Sequence, residues 1–180
     1  MRAIGRQLSI VALGTVLGAF GRDAAADDAA CQTVLDAIVK QAAVPVHQKI
    51  SIESAAAPGK PLQSEMIRTD DTLYMQVRGQ WTSRPYDGQK AVNDARQAMQ
   101  KAEHNCTRVR SETVDGQPAD LYSVEAKTAS GGTDSQLWIS PASGLPLHQH
   151  TVMLDQGSAK AQHDVHFDYV DVRAPQSISH

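Results

Sequence analysis

The chain has 180 residues, 41% hydrophobic, 21% charged and 4% aromatic, with a formal charge of −3 and two cysteines. That length can build a core without a metal or a disulfide framework. The composition is too apolar and too near neutral for a disordered chain. It is also too polar for a multi-span membrane protein, and it lacks the basic excess of a nucleic-acid binder.

Residues 1–26 read as a secretory signal peptide. Arg2 and Arg6 make a basic start, Leu8–Phe20 is an apolar run of 13 residues, and Ala24-Ala25-Ala26 supplies small residues for cleavage. At about 1.5 Å per residue the run reaches roughly 20 Å, short of a hydrocarbon core of about 30 Å, so the chain is not expected to be integral to a membrane. Asp28, three residues before Cys31, speaks against lipidation of that cysteine. Cleavage near Ala26 leaves residues 27–180 as one exported domain, periplasmic or secreted, with 14 basic and 19 acidic side chains. Its charge of −5 suits neither a phosphate backbone nor an anionic membrane surface. In an oxidising compartment the cysteine pair, Cys31 and Cys106, is expected to form a disulfide.

Asp27-Asp28 can start a helix, and Cys31, Val34, Leu35, Ile38, Val39 and Ala42 recur at three- and four-residue spacing until Pro45. From His47 the period becomes two, with Ile50 and Ile52 alternating with Lys49, Ser51 and Glu53. Gln63–Thr69 and Thr72–Arg78 predict a hairpin around Asp70-Asp71, with Leu73, Met75 and Val77 on one face. Gly79 to Pro85 is expected to leave the sheet. Asp87 caps a second predicted helix that reaches about His104 and ends at a left-handed Asn105. Strands are then expected at Thr107–Thr113, Ala119–Lys127, Gln136–Ser140, Leu147–Leu154 and Lys160–Val172, with a flexible turn over Ala129–Asp134. Hairpins without βαβ alternation predict an antiparallel sheet and the α+β class.

The search for chemistry is thin: no G-x-S-x-G elbow, P-loop, dinucleotide fingerprint or H-E-x-x-H occurs. No enzyme activity, catalytic residue or cofactor is expected. The seven histidines include His148-Gln149-His150 and His163-Asp164-Val165-His166 in adjacent predicted strands. A tip at Gln156-Gly157 would pair Asp155 with Ser158 and His150 with His163. That register puts His148, His150 and His163 on the face of Val152, Leu154, Val165, Phe167 and Tyr169, and turns His166 away. Three imidazoles so placed are metal candidates for Zn²⁺ or Cu²⁺, and a small metal-dependent hydrolase is the least favoured function. Trp138 lies between Leu137 and Ile139, so its strand is apolar on both faces, one of them expected under a helix. Two helices cannot cover a whole sheet, and the uncovered apolar face is expected to meet a ligand or partner.

The stretches Gly79-Gln80-Trp81-Thr82, Val114–Ala119, Leu137-Trp138-Ile139-Ser140-Pro141-Ala142-Ser143-Gly144-Leu145-Pro146-Leu147 and Phe167–Val172 resemble the LolA/LolB-like superfamily of envelope proteins. That superfamily includes LppX/LprG-type lipid carriers and RseB-type sensors. The resemblance implies a strongly curved antiparallel sheet, an unclosed half-barrel lidded by an N-terminal and a mid-chain helix. It also implies non-covalent binding or carriage of an acyl chain, lipid or hydrophobic segment in the concave face, with a hydrophobic ligand or a lipoprotein or other envelope protein as partner. The expected ligand-binding residues are Ile50, Ile52, Leu73, Met75, Val77, Val152, Leu154, Val165, Phe167 and Tyr169. An envelope interaction or sensor module without lipid carriage is the alternative.

Overall fold

The structure, a computed structural model, describes residues 23–176 apart from 102, 129 and 130, so most of the expected signal peptide lies outside the described residues. Helix α1 (Asp23–Ala42) precedes β1 (Val46–Ser54), β2 (Leu62–Arg68), β3 (Thr72–Val77) and β4 (Gln80–Pro85). Helix α2 (Gly88–Lys101) leads into β5 (Glu103–Val114), β6 (Gln117–Thr128), β7 (Gly131–Ile139), β8 (Pro146–Asp155) and β9 (Ser158–Asp168). The nine strands make one antiparallel sheet in the order β4-β3-β2-β1-β9-β8-β7-β6-β5. Its two edges, β4 and β5, are consecutive in sequence and joined through α2. The sheet is a curved, unclosed half-barrel of the α+β class.

Several local expectations are corrected. Helix α1 begins at Asp23 rather than at Asp27-Asp28, because alanine-rich Ala24–Ala26 is itself strongly helix-forming. Gly79–Pro85 does not leave the sheet. Arg78 and Gly79 both adopt positive φ (52° and 79°), the geometry of a two-residue hairpin turn, and β4 pairs with β3 along its whole length. Asn105 does not end α2, since it pairs with Glu125 inside β5. The flexible turn expected over Ala129–Asp134 is shorter, because Thr133 and Asp134 already pair with Ala126 and Glu125. Asp87 does cap α2, its carboxylate accepting from the Lys90 amide at 2.9 Å.

The main core lies between α1 and one end of the sheet. Ala30, Val34 and Ala37 pack on Cys106, Tyr122, Val124, Leu137 and Ile139, and a Cys31–Cys106 disulfide ties helix to strand at this contact. The other end of α1 is held by polar groups. Arg68, 5% exposed, donates from its guanidinium to the carbonyls of Gln41 and Val44 and to the Tyr86 hydroxyl, while its Cζ lies 4.9 Å from the Tyr86 ring centre. Tyr86 in turn donates to the Ala42 carbonyl at 2.7 Å, and Lys40 donates to the Ser143 carbonyl. The Gln41 and Ala42 carbonyls belong to the last turn of α1, where a helix leaves carbonyls without an i+4 partner, and a cation is well placed at that end of the dipole. Helix α2 packs against α1 and the start of β5, so neither helix packs extensively on β9, β1, β2 or β3, where the end of α1 reaches Arg68.

Replacing Arg68 with Met removes the side-chain donor of the Val44 carbonyl and leaves the Gln41 carbonyl only the long bond from the Val44 amide at 3.4 Å, and is expected to cost about 2–4 kcal/mol in urea denaturation. A loss below about 0.5 kcal/mol would show that the carbonyls find other donors. Opening the 75-residue disulfide loop, as Cys31→Ser with Cys106→Ser, is expected to lower stability by up to about 4–5 kcal/mol on the chain-entropy scale. Comparing reduced and oxidised melting curves of the native chain checks this directly.

Candidate functional site

Directly paired residues of neighbouring strands share a face, and alternate residues of one strand do so too. Starting from Leu137 under α1, the pairing runs Leu137–Gln149–Val165–Ile50–Ser64 from β7 to β2. The next row is Ser135–Thr151–His163–Ile52–Leu62, and on the other side Phe167–Gln48–Met66–Met75. This helix-bearing face therefore carries Ile50, Ile52, Leu73, Met75, Val77, Val165 and Phe167 of the expected ligand-binding set. Tyr169 lies just past β9 with its ring 6.5 Å from Phe167, and its hydroxyl donates to the Pro146 carbonyl at 2.8 Å. Burial pushes this phenol's pKa upward, and the nearby Arg68 charge only partly offsets that.

Where α1 stops, the same face stays apolar and open. Leu62, Val77 and Met75 are 60%, 53% and 39% exposed, and Met153 at the β8 end is 42% exposed. Around them lie Ile50, Ile52, Met66 and Val165, all partly exposed. The row of His163 and the Ser64 hydroxyl interrupt this strip, so it is apolar without being uniform.

The opposite face is built differently from expectation, and one residue is responsible. At the tip Asp155 does pair with Ser158, with Gln156 and Gly157 at φ 49° and 81°. Leu154 then pairs with Ala159 but Met153 with Ala161, so Lys160 is an extra residue, a β-bulge. Beyond it every partner moves by one. His148 now faces His166, His150 faces Asp164, and His163 faces Thr151 on the helix-bearing side. Val152 and Leu154, expected beside Val165, Phe167 and Tyr169, lie on the face away from α1, opposite Gln162 and Ala159. The expected grouping of His148, His150 and His163 is corrected to His148, His150 and His166.

On this second face Trp138 packs with Ala119, Leu121 and Leu147 away from α1, while Leu137 and Ile139 on the other side of the same strand lie under that helix. Its indole N–H donates to Glu112. That bond, then the one from Arg110 at 2.7 Å, holds the Glu112 carboxyl below the ordinary carboxylate range. The Trp138 ring stacks on His148 at 4.4 Å, and His148 stacks on His166 at 4.3 Å. Asp164 lies among three imidazoles: His148 Nε2 at 3.0 Å and His166 Nε2 at 3.5 Å from Oδ1, and His150 Nδ1 at 3.3 Å from Oδ2. Partial burial raises the Asp164 pKa, but hydrogen bonds from His148 and His150 and the charges of His148 and His166 outweigh it, leaving the carboxyl below its usual value. His166 also donates from Nδ1 to Asp115 at 3.1 Å.

Cavities adjoin both faces. One of about 450 Å³ is lined by His47, Lys49, Asp115, Gln117, His166 and Asp168, together with Phe167. Another, about 420 Å³, lies between the helices, among Cys31, Leu35, Arg96, Met99 and His104. Leu154 lines a third, shallow one of about 660 Å³ at the β8–β9 tip. No helix of the described residues is long and apolar enough to cross a membrane. Asp115, Asp164 and His166 are site residues that the sequence reading missed. The D-x-H spacing of Asp164 and His166 against the H-x-H of His148 and His150 was the available signal, concealed by the bulge.

No protein-family model and no curated protein matches this chain. Solved structures do resemble it in fold. LprF from Mycobacterium bovis is 14% identical, with 85% of this chain and 97% of that one aligned at a TM-score of 0.50. MucB is also 14% identical, with a TM-score of 0.54 over 85% of this chain and 63% of MucB. In the MucA/MucB complex of Pseudomonas aeruginosa the match has 16% identity and a TM-score of 0.51, over 81% of this chain and 59% of the other. The chain thus spans less than two thirds of the MucB chains. The fold that the motif resemblance implied, shared by LppX/LprG-type and RseB-type proteins, is the fold observed.

The lowered Asp164 pKa has a definite sign in stability. Its charge favours the folded state above the unfolded carboxylate value of about 3.9, and that contribution disappears as pH falls through the lower native value. For this partly exposed group the effect, after solvent screening, is about 1 kcal/mol. Metal-free Asp164→Asn is therefore expected to melt about 2–4 °C below the native chain at pH 7, with the gap closing below about pH 3. A gap that persisted unchanged at pH 2 would mean that lost geometry, not lost charge, sets the difference.

Proposed function

We propose that residues 27–180 form an exported binding protein of the cell envelope, which holds an acyl chain on the uncovered part of its helix-bearing face. The observation that carries this reading is the open apolar strip of Ile50, Ile52, Leu62, Met75 and Val77, continuing to Val165 and Phe167. A chain of about 14 carbons laid along such a surface gains roughly 10 kcal/mol at about 0.8 per CH₂ before the costs of binding. The expected signal peptide, an oxidised cysteine pair and the resemblance to envelope carriers agree with this placement.

A second reading has its own support. MucB, which shares the fold, has been solved together with MucA. The same strip ends at β3 and the edge strand β4, where a polypeptide could both bury apolar side chains and pair its backbone. In that case the occupant is a hydrophobic protein segment and lipid carriage is absent.

Titration with a 14-carbon fatty acid bearing an environment-sensitive fluorophore separates the two. The native chain is expected to bind saturably. Ile52→Asp with Met75→Asp is expected to weaken binding at least tenfold, and Val152→Asp on the opposite face to leave it unchanged. Absence of saturable binding by the native chain would remove the acyl-chain reading and leave the segment reading to be tested by cross-linking in envelope extracts.

A further inference from the structure

The face that the proposed ligand does not use carries an arrangement of its own. His148 and His150 stand two apart on β8, and Asp164 and His166 stand two apart on β9, directly opposite them. Four donor side chains thus occupy the corners of one cell of the sheet and project from the same side. We propose that this cell is a binding site for a divalent transition-metal ion of the zinc class, with His148, Asp164 and His166 as ligands and His150 holding the second oxygen of the Asp164 carboxylate.

The distances suit such an ion. Ligands about 2.0–2.1 Å from a tetrahedral zinc lie about 3.3 Å from one another. His148 Nε2 and His166 Nε2 are 3.0 and 3.5 Å from Asp164 Oδ1, and one ligand atom from each of the three lies within 4.8 Å of the others. The Asp164 carboxyl reaches His150 Nδ1 with its second oxygen at 3.3 Å. Imidazole nitrogens with one carboxylate form a donor set suited to zinc, copper or nickel rather than to magnesium or calcium, which favour oxygen.

The surroundings fit as well. His166 donates from Nδ1 to Asp115 at 3.1 Å, which in the neutral ring leaves the Nε2 lone pair directed at the Asp164 oxygen. Two electron-rich atoms facing each other call for a positive charge between them, a proton or a metal ion. A carboxylate behind a ligating imidazole fixes the tautomer and raises the ring's basicity, a recurrent support of metal sites. Trp138, stacked on His148 and fastened to Glu112, fixes the orientation of a second ligand ring. His166 also borders the cavity of about 450 Å³, so the cell is reachable from solvent.

The test uses the full chain without an added histidine tag, stripped with EDTA and titrated with zinc chloride at pH 7.5 by calorimetry and by thermal melting. One zinc per chain and a rise in Tm are expected, while magnesium chloride leaves Tm unchanged. Asp164→Asn and His166→Gln are each expected to weaken zinc binding at least tenfold. His163→Ala, on the other face, is expected to leave it intact. His166 is exposed, so its variant retains the fold by circular dichroism even if Asp164→Asn does not. Binding is also expected to weaken from pH 7.5 to 5.5 as protons compete for the imidazoles. Failure to bind zinc, or equal binding by the native chain and the His166→Gln variant, would overturn the site and leave a proton as the charge between these groups. Because the acyl-chain strip lies on the opposite face, either result leaves the fatty-acid titration unaffected.

Discussion

One unpaired residue, Lys160, determines what meets on each side of the sheet. Its extra length in β9 lets the hairpin tip keep its two-residue turn while the rest of the strand pairs one position further on. The bulged carbonyl is not wasted, since it accepts from the Ala55 amide at 2.9 Å, and the Lys160 ammonium pairs with Asp155. Val165 pairs with Ile50 on the helix-bearing side, and the bulge brings His148 and His150 to the other face, beside Asp164 and His166. Without it, His148 and His150 would share a face with His163 instead of His166, and no carboxylate would stand among them. A side-chain period of two makes every later residue on the strand depend on this local choice.

The second constraint is the way α1 is fixed. At one end a disulfide and a cluster of small side chains bring the helix down on β5 to β7; at the other, Arg68 and Tyr86 take up its last carbonyls. Arg68 belongs to β2 and Tyr86 follows β4, so strands from the far half of the sheet hold the helix C-terminus. The helix is thus located over one end of the sheet and cannot slide to cover the other. The same attachments that stabilise the fold leave Leu62, Met75 and Val77 in the open, which is why an apolar surface persists in a well-packed protein.

The fold was legible because its signals are periodic. The spacing of Val34, Leu35 and Ile38, the alternation around Ile50 and Ile52, and the Asp-Gly and Gln-Gly tips each specify local structure, and together they leave few topologies. The motif around Trp138 and Pro146 then pointed to the curved sheet. What could not be read was register. Nothing in the composition of Ser158–Ala161 marks Lys160 as the extra residue, and Arg78-Gly79 is not the residue pair most characteristic of a tight hairpin. Arg68 falls inside the predicted strand Gln63–Thr69 with nothing in the sequence to single it out, and only its burial against helix carbonyls gives it a role. The candidate site suffered most, since a shift of one position exchanged His163 for His166 and introduced Asp164. Half of the expected lining, from Ile50 to Val77, needed only the parity of β1 and β3 and came out on the expected face.

Because the edges β4 and β5 are consecutive in the chain, the connection between them tethers the end of β4 to the start of β5. It holds 14 helical residues, about 21 Å at 1.5 Å each, and a few flanking residues that add roughly 10 Å when extended. The end of β4 and the start of β5 therefore cannot part by more than about 30 Å while α2 stays wound. Any guest that needs a wider entrance must either slide in along the strands or unwind that helix, so α2 sets a mechanical ceiling on how far the sheet can flatten.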